Sequence, residues 1–184
     1  MNDLKLRKNC PTQFVVKKAF AFACCGTLLL AMAPSLFAGE RRAFKFTECD
    51  KYKQTLSVHT LTPGDRPGHQ YTLRIERQNF TTTDPEYGEA KTTIYDYSDD
   101  VDGTGTHRGT AEDVIKGGDA VFWQYQGIHK TVVKEGGAWE TTFQGTGVAV
   151  GGTGKYKNAK GKETYRGKIT PKGCSTDGDA EWEY

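Results

Sequence analysis

Beyond its first 38 residues, this 184-residue chain is short of most features that announce a chemistry. Only Cys49 and Cys174 remain of five cysteines, too few for a zinc site. Ser57, Ser98 and Ser175 are the remaining serines, and none sits in the Gly-x-Ser-x-Gly turn of a serine hydrolase. Basic excess is missing as well. The formal +2 divides into +4 on the first 38 residues and −2 on the rest, which excludes a general phosphate-binding face and hence nucleic acid. After the leader no apolar run approaches the roughly 20 residues that a membrane-spanning helix needs. The histidines, at 59, 69, 107 and 129, show no metal-ligand spacing, so no metal and no cofactor is expected. Helical periodicity is equally scarce. Its one modest candidate, 110–115, is too short to stand alone.

The leader itself is informative. Lys5, Arg7, Lys8, Lys17 and Lys18 precede an apolar stretch over 19–33, Pro34 breaks it, and Ala38 offers a small residue before Gly39. This is the layout of a secretory signal peptide over 1–38, leaving a mature domain over 39–184 in a periplasmic or secreted location. A retained anchor is the competing reading, but 19–33 is short for a span. A lipid-modified Cys24 or Cys25 fits less well, because most of the apolar run follows them. In an oxidising compartment Cys49 and Cys174 pair as a disulfide, the alternative being two separate thiols.

What the body has is glycine and strand patterning. Glycine fills 21 of the 146 residues from 39 on, about twice ordinary usage. Segments 55–61, 71–77, 91–97, 104–110, 120–130, 139–150, 162–169 and 180–184 are rich in β-branched and aromatic residues or alternate apolar with polar. Turn clusters punctuate them: 62–68 with two prolines, 84–88, Lys116-Gly117-Gly118-Asp119 and Glu135-Gly136-Gly137. The pattern predicts an all-β chain forming a single antiparallel β-barrel of about eight strands, with a β-sandwich as the alternative. In 71–77 the alternation places Tyr71, Leu73 and Ile75 inward and leaves Arg74 and Glu76 solvated.

One segment is more specific. Val148-Ala149-Val150-Gly151-Gly152-Thr153-Gly154-Lys155-Tyr156-Lys157-Asn158-Ala159-Lys160-Gly161 reads as strand, glycine corner, aromatic plug, small residue, glycine, strand. It is not a nucleotide-binding P-loop, since Ala149 and Tyr156 replace the first glycine and the final Ser/Thr. It resembles the barrel-closing segment of the allene oxide cyclase/dirigent-like barrels, which small secreted bacterial proteins also carry. Gly151, Gly152, Gly154, Tyr156, Ala159 and Gly161 match that pattern, and 164–169 is similar to the strand that follows it. The resemblance implies a barrel with a cavity, the named glycines and Tyr156 being structural. The catalytic residues of cyclases and dirigent proteins have no matched positions upstream of Val148, so it implies no activity.

Candidate functional residues are the aromatic and imidazole side chains that strands can turn inward: Tyr71, Tyr95, Trp123, Tyr125 and Trp139, with His107 and His129. They either line a pocket for a small apolar or aromatic ligand or simply fill the barrel. An enzyme of cyclase or isomerase type in such a cavity is an alternative. An envelope protein with a packed core and no ligand is another. The acidic run from Ser98 to Gly103 begins like a calcium loop, but Gly109 at its twelfth position excludes an EF-hand. A solvated acidic turn is expected there, with a weak calcium site as the alternative.

Overall fold

The computed structural model describes residues 41–184; the signal peptide expected over 1–38 lies outside the described residues. Eight strands follow one another: β1 (Arg42–Leu61), β2 (His69–Thr82), β3 (Glu89–Val101), β4 (Thr104–Ile115), β5 (Ala120–Val133), β6 (Trp139–Gly152), β7 (Lys160–Thr170) and β8 (Gly173–Glu183). Each pairs antiparallel with its neighbour, and β1 pairs with β8, so the sheet closes into a barrel rather than a sandwich. Closure removes both sheet edges. The candidate helix at 110–115 is instead the end of β4, fully paired with β3 and β5. Its Ala111, Asp113 and Ile115 alternate inward, and pairing on both sides outweighs weak helical propensity.

The turns behave as their glycines require. Asp102 and Gly103 adopt φ of 51° and 76° and make the two-residue hairpin between β3 and β4, where both central residues need positive φ. The acidic run is therefore mostly strand plus tight turn. Asp100 is spent on it, accepting a hydrogen bond from the Gly103 amide at 3.2 Å.

Antiparallel succession puts the β1–β2, β3–β4, β5–β6 and β7–β8 hairpins at one end of the barrel. The β2–β3, β4–β5 and β6–β7 loops and both strand termini lie at the other. That second end is plugged. Phe44, Phe46, Phe80, Tyr87, Trp123, Tyr156 and Trp182 form its buried floor. Tyr156, expected as the plug, is 1% exposed and stacks on Trp182 at 5.2 Å between ring centroids. Asp84 ties the floor to the β2–β3 loop: it accepts from the Glu86 and Tyr87 amides at 2.8 and 3.1 Å and from Trp182 Nε1 at 3.1 Å. Cys49 and Cys174 are disulfide-bonded, Cα to Cα 5.8 Å, linking β1 to β8 across 125 residues.

The glycine excess has a second use beyond turns. Inside the barrel a glycine repeatedly faces a bulky side chain as its direct cross-strand partner: Gly109 and Tyr125, Gly127 and His107, Gly145 and Tyr165, Gly147 and Glu163, Gly167 and Phe143, Gly178 and Phe46. A β-carbon on Gly145 would lie 2.3 Å from the Tyr165 hydroxyl and 2.2 Å from the Gln126 carbonyl oxygen. On Gly147 its three nearest neighbours would all be atoms of the Glu163 side chain, the first at 2.4 Å. Gly145→Ala therefore destabilises by about 1–3 kcal/mol or more, because backbone must move. Gly147→Ala costs less, since Glu163 can swing into the cavity. Urea melts of the two variants check this, and equal losses would contradict it.

Candidate functional site

Above the floor the barrel is hollow. A cavity of about 600 Å³ runs from Trp123 toward the hairpin end, where Thr60, Gln70, Thr131 and Trp139 line it. Its position follows from strand parity. On β2 the floor residue Phe80, 2% exposed and 4.9 Å from Phe46, turns the even-numbered positions inward. Thr72, Arg74, Glu76 and Gln78 therefore line the cavity. This reverses the expectation for that strand: Leu73 is 57% exposed and Tyr71 lies outside, packed against Tyr97 and His69. Tyr95 is likewise outside, 47% exposed on the outer face of β3. Parity is set by where a strand's end is anchored, and one residue of slip exchanges its faces. Amphipathic alternation misled because this interior is polar.

The other named residues do face the cavity: Trp123, Tyr125, His107, His129 and, at the rim, Trp139. Glycine rows bring some together. His107, Gly127, Gly145 and Tyr165 are successive register partners across β4 to β7. With two glycines between them, His107 Nε2 and the Tyr165 hydroxyl meet at 2.8 Å. The next row toward the floor is Asp96, Gly109, Tyr125, Gly147 and Glu163. There Tyr125 reaches over Gly109 and donates its hydroxyl to Asp96 at 2.9 Å. On the hairpin side His129 Nε2 stands 3.9 Å from Asp100.

Sequence reading missed the carboxyl groups that dominate the interior. Glu76, 7% exposed, holds Lys53 at 2.9 Å and Arg74 at 3.9 Å and accepts from the Thr55 hydroxyl at 3.2 Å. Asp113, 1% exposed, accepts from the Tyr87 and Thr92 hydroxyls, both at 2.5 Å, and Trp123 Nε1 donates to Tyr87 at 3.1 Å. Burial pushes Asp113 up to about 6 despite these bonds. Glu48 is pushed up to about 8, first by burial and then by Asp113, against the opposing hydrogen bond to Gln78 and the Lys53 charge. Glu163 is raised well above the carboxylate range by burial, then by Glu48 and Asp113. Burial raises Asp96, opposed by its bond from Tyr125. His107 falls to about 4 through burial and the neighbouring His129, and burial lowers His129 too. At neutral pH the site thus presents Glu48 mostly protonated, with Glu163 and Asp96 shifted the same way, beside neutral imidazoles and phenols. The available signal was parity: Glu163 and Tyr165 share a face with Gly161 and Gly167, but nothing in the strand alone says that this face is inside.

Among the described residues no group of three or more His, Cys, Asp or Glu is arranged to hold a metal ion. No helix among them is long and apolar enough to cross a membrane. No protein family, curated protein or solved structure matches the chain.

The raised carboxyls give stability a definite pH dependence. Groups whose folded pKa lies above the unfolded value stabilise fully at low pH, and that contribution is lost as pH rises through the folded pKa. His107 and His129 act the other way, but only up to the ordinary histidine value of 6.5. His69, held up by Asp65 and then Asp99, adds to the high-pH loss. Between 6.5 and about 8 stability therefore falls, by about 1–2 kcal/mol from Glu48 alone. Denaturant melts across this window should show the fall, and Glu48→Gln should remove the Glu48 share of it while leaving the part due to Glu163 and His69. A rise in stability over the same window would refute the assignment.

Proposed function

We propose that this chain is an exported barrel that binds a small ligand with an aromatic body and polar groups in its interior. The observation that carries this is the cavity itself: about 600 Å³, within the range of ordinary ligand sites and walled by Trp139, Phe143, Tyr125 and Tyr165. The polar groups narrow the ligand class. A purely apolar occupant would strip water from Glu48, Asp96 and Glu163 and return no hydrogen bond. Export is supported by the leader pattern over 1–38 and by the Cys49–Cys174 disulfide. Descent from the allene oxide cyclase/dirigent-like barrels is part of the proposal, supported by the closed eight-stranded topology and by Tyr156 plugging the floor at the Gly151–Gly161 corner.

Tryptophan fluorescence tests the reading. Trp139 stands at the rim, 37% exposed, Trp123 in the cavity wall and Trp182 in the floor. An aromatic ligand, drawn from a panel of phenols, aromatic acids and aromatic amines, should quench and shift the emission. Trp139→Phe should remove much of the change while the protein stays folded. Silence across the panel at millimolar concentration would end the proposal.

A second reading, an isomerase or cyclase acting in the same cavity, is favoured by one contact: His107 Nε2 on the Tyr165 hydroxyl, one glycine row from Glu163, whose carboxyl burial shifts toward the acid form. An acid, a phenol and a neutral imidazole so placed can deliver one proton and remove another. Turnover of an unsaturated epoxide, lowered about 100-fold or more by Glu163→Gln, would support it. Turnover unaffected by that change would count against it.

A further inference from the structure

Six carboxyl groups line the cavity, Glu48, Glu76, Asp96, Asp100, Asp113 and Glu163, against two permanent cations, Lys53 and Arg74. Both cations are held by Glu76. Of the other five, four are engaged: Asp96 by Tyr125, Asp100 by the Gly103 amide, Asp113 by Tyr87 and Thr92, and Glu48 by Gln78. Glu163 differs. It is enclosed by the barrel, opens onto the cavity, and has neither a hydrogen bond nor an ion pair among the described residues. Its partner position is Gly147, which leaves the space over β6 clear for the carboxyl. Its oxygens open onto the cavity instead, free to accept a charge-assisted hydrogen bond from a cationic ligand.

We propose that Glu163 is the anchor for a small organic cation, so that the cavity takes an aromatic amine or similar protonated base. Its charged nitrogen lies on the Glu163 carboxylate and its ring against Tyr125, Tyr165 and Phe143. The proposal rests on the cavity-binding reading and specifies its ligand class. Lys53 and Arg74, the cations in the cavity lining, are both paired with Glu76, and the groups around Glu163 are acidic or neutral. Glu48 faces Glu163 from β1, Asp96 from β3, Asp113 and His107 from β4, Tyr125 from β5 and Tyr165 from its own strand; the neutral imidazole brings no competing positive charge. A cation offsets the negative charge that these carboxyls take on as they ionise, whereas an anion adds to it. The aromatic walls contribute through the attraction of π faces for positive charge. The proton balance is explicit. Burial raises the Glu163 carboxyl in the free barrel; an ammonium ion binds its conjugate base, so the acid form gives up its proton to solvent on binding, and binding tightens as pH rises.

Isothermal calorimetry at neutral pH, in two buffers of different ionisation heat, tests this with 2-phenylethylamine and its neutral near-isostere 2-phenylethanol. The amine should bind at least about tenfold more tightly and release a proton to the buffer. Glu163→Gln should bring the amine close to the level of the alcohol, and a thermal melt reports that the variant is folded. Equal binding of both probes, or an amine preference that survives Glu163→Gln, overturns the cation site and leaves the cavity reading in place. If neither probe binds at millimolar concentration, the cavity reading falls with it. The wild-type comparison and the proton release need no variant, so a misfolded Glu163→Gln would not rescue the proposal.

Discussion

An eight-stranded barrel has room inside for little more than one layer of side chains, and here the bulky ones fit because a glycine lies opposite them. Without Gly127 and Gly145, His107 and Tyr165 could not lie inward and meet across two intervening strands. Without Gly109, Tyr125 could not reach Asp96. A β-carbon at Gly178 would stand 2.1 Å from the Phe46 ring, and one at Gly167 2.4 Å from the Phe143 ring. The floor, the cavity wall and the hydrogen-bonded pairs inside all depend on this alternation of large and absent side chains. What it leaves unfilled is the cavity above the floor.

The carboxyls separate by depth. Asp84 and Asp113 sit in the floor, each surrounded by donors, and act as structural acceptors for Trp182, Tyr87 and Thr92. Glu48 and Glu163 sit higher, where the wall is aromatic and donors are few. Desolvation there is opposed by little, so these acids stay protonated to higher pH than acids in water. That the same residue type serves as a structural tie in one layer and a poised, under-satisfied group in the next is a matter of local donors, not of strand position. The candidate site is where the second condition holds.

Much of the architecture was legible in the chain. Turn clusters and β-branched runs marked all the strands, and the glycine corner with Tyr156 marked where the barrel closes. Strand lengths were underestimated, β1 above all, which extends back to Arg42 through an irregular stretch between Glu48 and Lys53. The end of β4 was legible only as weak helix, because an isolated six-residue segment carries no record of the two strands that will pair with it. The site was half legible. Trp123, Tyr125, Trp139, His107 and His129 were found through aromatic enrichment and alternation, while Glu48, Asp96, Asp113, Glu163 and Tyr165 were not. Tyr71 and Tyr95 were placed inside by the same rule that fails for a polar interior.

The sequence by itself determined the strands, the turns, the closing corner and the disulfide partners, because these follow from local conformational preference and from having two cysteines in the body. The direction of each face was decided only by the tertiary structure. A strand's period of two specifies two faces without saying which is inside. The floor settled it: once Phe80, Phe46, Tyr87 and Trp182 packed together, their parity propagated up the regular strands, while two register shifts change it along β1. It carried Arg74, Glu76 and Glu163 into the barrel and put Leu73 and Tyr95 on its outside.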